Sequence, residues 1–172
     1  MEVIEKDHLR QQLLSGKQLR VKLGFDPTGG KIHIGRANIL RKLRAFQDLG
    51  HKVVFLVGDF TVRIGDPSDK LDKRPTLTDE QIKENIKNYK AQVAQIVDIK
   101  KAEFLFNSKW LKKLNFLDVL GLAKNFTTSQ MMTRRNFSER IEKGGIVGLE
   151  ETMYPLMQGY DSVAIKADVE IA

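Results

Sequence analysis

Along this chain the spacing of apolar residues switches repeatedly between a helical and a strand period. From about Lys6 to Leu14 the pattern predicts a short amphipathic helix. Leu19 to Phe25 follows with period two, Val21 and Leu23 alternating against Arg20 and Lys22, and reads as a strand. Asp26-Pro27-Thr28-Gly29-Gly30 is a dense turn signal. A helix is expected from about Gly35 to Leu49. Ile39, Leu43 and Phe46 share a face beside Leu40, with Arg41, Lys42 and Arg44 elsewhere and Gly50 as the stop. The continuous β-branched run Val53-Val54-Phe55-Leu56-Val57 suits a strand buried on both sides.

Strand, helix and strand within about 40 residues make a βαβ unit, which requires a parallel sheet and a right-handed crossover. A long helix is expected from about Asp79 to Ile99, capped by Thr78 and acidic in its first turn. Ala102 to Phe106 reads as a third strand, opening onto Asn107-Ser108 as a cap. The chain then reads as several short helices as far as Lys166. The tail from Asp168 to Ala172 reads as the beginning of a strand. The fold class is α/β: a single domain over residues 1–172 built on an open parallel sheet.

Composition changes this picture little. A hydrophobic fraction of 41% and a charged fraction of 30% are ordinary for a globular chain. No run approaches the roughly 18 apolar residues of a membrane span. The N-terminus is too polar for a signal peptide, so the cytoplasm is the expected compartment. With no cysteine, disulfides and thiolate metal sites are excluded, and no protein-held metal is expected. The net charge of +7 makes a polyanion such as RNA a plausible partner, bound in a salt-dependent way. The clusters at Lys109-Trp110-Leu111-Lys112-Lys113 and Arg134-Arg135 read equally well as solvated helix faces.

Ligands of open α/β sheets bind beyond the carboxyl ends of the strands. That places Gly24-Phe25-Asp26-Pro27-Thr28 at a site, followed by His33-Ile34-Gly35-Arg36 at a helix start, where free N–H groups and the helix dipole favour phosphate. On the last long helix Tyr154, Gln158 and Asp161 fall within about 60° of arc. They either line a polar pocket or face solvent. Leu149, Met153, Leu156, Met157 and Tyr160 occupy the adjacent arc, and Pro155 either kinks or starts the helix.

These motifs, taken in order, resemble the bacterial-type tyrosyl-tRNA synthetases, class I enzymes with a Rossmann-like catalytic fold. Gly24-Phe25-Asp26-Pro27-Thr28 with His33-Ile34-Gly35 resembles the first class I signature. Phe46-Gln47-Asp48-Leu49-Gly50-His51, Gly58-Asp59-Phe60-Thr61 and Ile64-Gly65-Asp66-Pro67-Ser68 resemble the tyrosyl subgroup. So does Tyr154-Pro155-Leu156-Met157-Gln158-Gly159-Tyr160-Asp161, and the likeness runs from about Val21 to Glu170.

The resemblance implies an ATP site made by Gly24, Asp26, Thr28, His33, Gly35 and Arg36, with Mg²⁺ accompanying the nucleotide. His33 would assist the leaving pyrophosphate, and Lys70 and Arg74 would close over it. Asp66, Tyr154 and Gln158 would hold the tyrosine ammonium, and Asp161 would accept a hydrogen bond from the phenol. The implied reaction is attack of the tyrosine carboxylate on the α-phosphorus, then transfer to tRNA(Tyr). Positioning and charge stabilisation suffice for it, with no protein nucleophile. A homodimer through about 110–145 is also implied, with Phe116, Leu117, Met131 and Met132 available for burial.

Three residues depart from the pattern. Arg36 stands where the family has a second histidine, able to reach a phosphate or to crowd the ribose. Asp69 replaces a glycine beside the pyrophosphate loop. Lys22 sits where some tyrosyl enzymes place a second phenol ligand, although the subgroup this chain most resembles also has lysine there. The sequence ends before the family's Gly-Gly-x-Asp-Gln segment, its Lys-Met-Ser-Lys-Ser-type loop and its anticodon-binding domain. The resemblance therefore implies a partial catalytic domain. The alternative is a non-catalytic fragment or degenerate paralogue that binds RNA or associates with a synthetase. A related nucleotidyltransferase with a His-x-Gly signature is a third reading, but it leaves Asp66 and the Tyr154–Asp161 helix unaccounted for.

Overall fold

The computed structural model describes residues 3–29, 31–32, 34–64 and 77–172. Four strands, β1 (Arg20–Phe25), β2 (Lys52–Val57), β3 (Glu103–Phe106) and β4 (Val169–Ile171), form one sheet in the order β3-β2-β1-β4. Every neighbouring pair is parallel, as the βαβ reading requires. The α-helices among the described residues are α1 (Lys6–Leu14), α2 (Ile34–Asp48), α3 (Asp79–Val93), α4 (Ser108–Leu111), α5 (Phe116–Ala123), α6 (Thr128–Met132), α7 (Arg135–Glu142) and α8 (Leu149–Ala164), with a short 3-10 turn at Thr61–Arg63.

Local chemistry explains most boundaries. The Thr78 hydroxyl accepts from the Gln81 N–H at 3.3 Å, and the Gln81 side chain accepts in return from the Thr78 N–H at 2.9 Å, the reciprocal cap expected there. Gly50, at φ +85°, ends the chain reversal after α2 without the Cβ penalty other residues would meet. The helix expected to run to Ile99 stops at Val93 instead. Gln47 of α2 explains part of this. Its side-chain amide pairs with the backbone of Asp98 in both directions, at 2.9 Å each way, and claims peptide groups a continuing helix would need. Val97 stays in the core through the resulting turns.

The two faces of the sheet are unlike. Successive side chains of a strand point to opposite faces, so Val21 and Leu23 lie on one side, Lys22 and Gly24 on the other. On the first side, Val53 and Phe55 join Leu40 and Leu43 of α2 and Val93 of α3 in a hydrocarbon core. Phe55 sits between Phe25 and Phe104, with ring centroids 4.8 and 5.3 Å away. On the second side α8 covers the sheet, and polar groups occupy the space beneath it. A separate apolar cluster joins Leu156 of α8 to Met131 of α6 and Phe137 of α7. Met131 is thus internal rather than available at a subunit contact, and Met132 packs beside it. Phe116 and Leu117 are 76% and 77% exposed.

Candidate active site

A cavity of about 720 Å³ opens beyond the carboxyl ends of β1 and β2, between the sheet and α8. This is the position open parallel sheets favour, and the size suits a small ligand. Gly24, Asp26, Arg36, Tyr154, Gln158 and Asp161 all line it. The polar stripe of α8 therefore faces a pocket and not solvent. Pro155 lies within the helix and neither starts nor ends it.

Two buried carboxylates organise the polar wall. Asp26, 8% exposed, accepts from the Thr61 hydroxyl at 2.7 Å and from the Tyr154 phenol at 3.0 Å. Asp161, 4% exposed, accepts from Trp110 Nε1 at 2.7 Å and Asn107 Nδ2 at 3.2 Å. Asn107 Nδ2 also donates to Thr61 Oγ1 at 3.1 Å, so one continuous chain of bonds runs from Tyr154 through Asp26, Thr61 and Asn107 to Asp161. Burial pushes the Asp161 carboxyl above its ordinary value, opposed by the hydrogen bonds from Trp110 and Asn107. Networks of this kind hold their members in one geometry because each unmade bond would be costly in a dry site.

Gly58 makes the Asp26 end possible. A Cβ at that position would fall 1.8 Å from Asp26 Oδ1 and 2.3 Å from Thr61 Oγ1, closer than any real contact. The glycine is required by close approach and not by its dihedral angles.

Lys22 forms the second polar cluster. Only 1% exposed, its ammonium donates to the Gln158 carbonyl at 3.2 Å, to Ser162 Oγ at 2.9 Å and to Glu170 Oε1 at 3.1 Å. An ammonium has three donors, and all three are used within the protein. Lys22 is therefore a fixture of the floor beneath α8 and has no proton left for a phenol. Burial pushes the Glu170 carboxyl up, but the Lys22 charge and the hydrogen bonds from Gln158, Ser162 and Lys22 outweigh it, leaving that carboxyl below its ordinary value.

Other expected residues are placed less centrally. Thr28 is half-buried, its N–H donating to the Asp26 carbonyl at 2.8 Å, while Gly35 is exposed in the first turn of α2; neither lines the cavity. Arg36 does line it, but its guanidinium donates to the Tyr89 hydroxyl and lies over that ring, Cζ 5.8 Å from the centroid. His33, Asp66, Lys70 and Arg74, and also Asp69, lie outside the described residues.

Sequence reading missed Thr61, Asn107, Trp110, Ser162 and Glu170. Asn107 was expected as a helix cap. It does occupy the N-cap position of α4 but forms no side-chain cap bond, because its amide is committed to the Phe60 N–H, Thr61 and Asp161. Trp110 was hidden inside a basic cluster, and nothing in local spacing pointed its indole at Asp161.

Comparison with known proteins gives the family of the chain. The sequence model of the family described as "tRNA synthetases class I (W and Y)" matches residues 14–172. The tyrosine–tRNA ligase of Carboxydothermus hydrogenoformans is 48% identical over 170 residues, covering 99% of this chain and 41% of that protein. That of Shewanella oneidensis is 49% identical over 170 residues, covering 99% and 43%. The chain thus spans less than half the length of these relatives. Among solved structures, a C-terminally truncated mitochondrial tyrosyl-tRNA synthetase of Aspergillus nidulans aligns with a TM-score of 0.79 at 24% identity, covering 94% of this chain and 49% of that one. The synthetase of Archaeoglobus fulgidus complexed with L-tyrosine aligns at 0.74 and 23% identity, covering 98% and 50%. These likenesses establish a shared fold.

Proposed function

We propose that this chain, which belongs to the class I tRNA synthetases (W and Y), binds L-tyrosine and ATP in its cavity and activates the amino acid, as its likeness to tyrosine–tRNA ligases supports. Tyrosyl-adenylate and pyrophosphate would form there, for later transfer to tRNA(Tyr). Residues 1–172 act as one partial catalytic domain in this reading. The observation that carries it is the alignment of Tyr154, Gln158 and Asp161 of α8 along one cavity with Asp26 at the end of β1.

In this reading the amino acid lies along α8. Each Asp161 oxygen already accepts one bond and keeps a second lone pair, so the carboxylate can accept a hydrogen bond from a phenol. Phenylalanine would leave that acceptor unanswered in a buried site; tyrosyl synthetases are themselves the standard example of this discrimination. Tyr154 and Gln158, with Asp66, take the ammonium. Gly24, Asp26 and Arg36 form the nucleotide side; Thr28, Gly35, His33, Lys70 and Arg74 are assigned to it by resemblance alone, the last three to stabilise departing pyrophosphate. Among the described residues no cluster of three or more histidine or acidic side chains is arranged to hold a metal. Mg²⁺ would arrive with the nucleotide, held by its phosphates and water.

No helix among the described residues is long and apolar enough to cross a membrane, and the cytoplasm is the compartment this function suits. The exposed Phe116, Leu117 and Leu120 of α5 favour a homodimer contact within 110–145.

The test is tyrosine-dependent exchange of pyrophosphate into ATP by this chain. Exchange above a His33→Ala control supports activation. A folded chain that binds tyrosine without exchanging would be a binding module, and Asp161→Ala that weakens tyrosine and phenylalanine equally would remove the role given to Asp161.

A further inference from the structure

Gln158 is held at two points by the same cluster. Its backbone carbonyl accepts from Lys22 at 3.2 Å, and its side-chain Nε2 donates to Glu170 Oε1 at 3.0 Å. Glu170 is fastened in turn: Oε1 also accepts from Lys22, and Oε2 accepts from Ser162 Oγ at 2.7 Å. Glu170 pairs with Lys22 in the register of β4 on β1, so the strand alignment itself puts carboxylate and ammonium side by side under α8.

The consequence is chemical. An ionised carboxylate only accepts hydrogen bonds, so the Gln158 amide can present only its NH₂ group to Glu170. The amide is planar, and its oxygen is therefore turned away from Glu170. Gln158 lines the cavity, and among the described residues its Oε1 accepts no hydrogen bond. Were residue 170 able to donate, the amide could reverse and offer the cavity an NH₂ group, which would repel a cation.

We propose that Glu170, secured by Lys22 and Ser162, is a positioning residue that locks the Gln158 amide with its carbonyl oxygen toward the cavity, making that wall selective for a ligand ammonium. This rests on the reading of the cavity as an amino-acid site. It assigns Lys22 a role different from phenol recognition: the lysine keeps the carboxylate charged and in place, and the carboxylate sets the polarity of the glutamine.

The experiment uses two probes, tyramine and 4-ethylphenol, which share a phenol and differ in the ammonium. Affinities are measured by calorimetry on the full chain and on Glu170→Gln and Glu170→Asp. The Gln158 side-chain NH₂ resonances are followed by NMR without ligand, assigned through Gln158→Ala. The wild-type chain is expected to prefer tyramine. Glu170→Gln should reduce that preference by about tenfold, the scale of one hydrogen bond to a charged group. Glu170→Asp keeps the charge but withdraws it from Gln158, and should also lose most of the preference while shifting the NH₂ signals. If Glu170→Asp retains the full preference, the effect is one of field and not of orientation, and the proposal fails. Unmoved NH₂ signals in both variants would also overturn it. Signals that move in a protein that binds neither probe would uphold the positioning and sink the amino-acid reading of the cavity.

Discussion

The two faces of this sheet are built from the same strands and solve opposite problems. Toward α2 and α3, Val21, Leu23, Val53 and Phe55 meet hydrocarbon, and packing there is dry and redundant. Toward α8, Lys22, Asp26, Thr61, Asn107 and Asp161 are nearly as well buried, yet each is held by specific hydrogen bonds to named partners. The first face stabilises the fold by the sheer area removed from water. The second contributes little net stability for what it buries, since charges taken from water recover that loss only through their partners. What it provides is a set of acceptors held in fixed directions around a cavity, which an apolar lining cannot supply.

Breaking the dry face should have the largest effect. Phe55→Ala removes a ring packed between two others and is expected to cost about 4 kcal/mol, read from urea denaturation. On the wet face, Lys22→Met leaves Glu170 without its cation. It should cost about 3 kcal/mol, at the low end for a broken buried pair because the Glu170 side chain keeps 30% exposure. The contrast sharpens in the double variant Lys22→Met, Glu170→Leu. That variant should recover most of the lost stability while the tyramine preference stays absent; failure to recover would mean the pair stabilises the fold after all. Gly58→Ala drives a methyl into Asp26 and should cost about 2 kcal/mol, with loss of tyrosine binding as the companion measurement.

A pH series separates two groups of carboxyls by sign. The carboxyls of Glu103, Asp168 and Glu170 lie below their ordinary values. The Arg20 hydrogen bond and charge lower Glu103, the Arg20 N–H and Lys17 lower Asp168, and the Lys22 charge with its neighbouring hydrogen bonds lowers Glu170 against the pull of burial. Their contribution is present above the unfolded carboxyl range and is lost as pH falls through the depressed folded values. Asp161 is raised, so acid relieves rather than removes its contribution. Chemical denaturation at stepped pH should therefore show stability falling on the acid side, and a shallower fall in Glu170→Gln. The smallest effect belongs to neither face. Phe116→Ser on exposed α5 should change monomer stability by no more than about 0.5 kcal/mol. A change in sedimentation with that substitution would place α5 in a subunit contact.

Most of the scaffold was readable because it rests on local rules. The two-residue alternation of β1, the β-branched run of β2, the Thr78 cap and Gly50 are each decided by residues within a turn or two of one another. The stripe of α8 was equally visible as a period, but period alone left open whether it met water or a pocket. The misreadings arose where a distant partner won. Gln47 took the backbone that α3 would have used to continue past Val93. The Asn107 amide left its helix cap for Phe60, Thr61 and Asp161.

Sequence alone determined that this chain forms a parallel α/β sheet, with the place for a site at its carboxyl edge, where the cavity lies. Handedness, strand period and the chemistry of turns act over short stretches of chain, and they leave that fold no alternative edge for the site. Tertiary structure decided which polar groups speak to one another. Glu170 lies 148 residues from Lys22 and 12 from Gln158 in sequence, and only the pairing of β4 with β1 brings all three together. A hydrogen bond depends on the distance and direction of two groups in space, and neither is written in the spacing of residues along the chain.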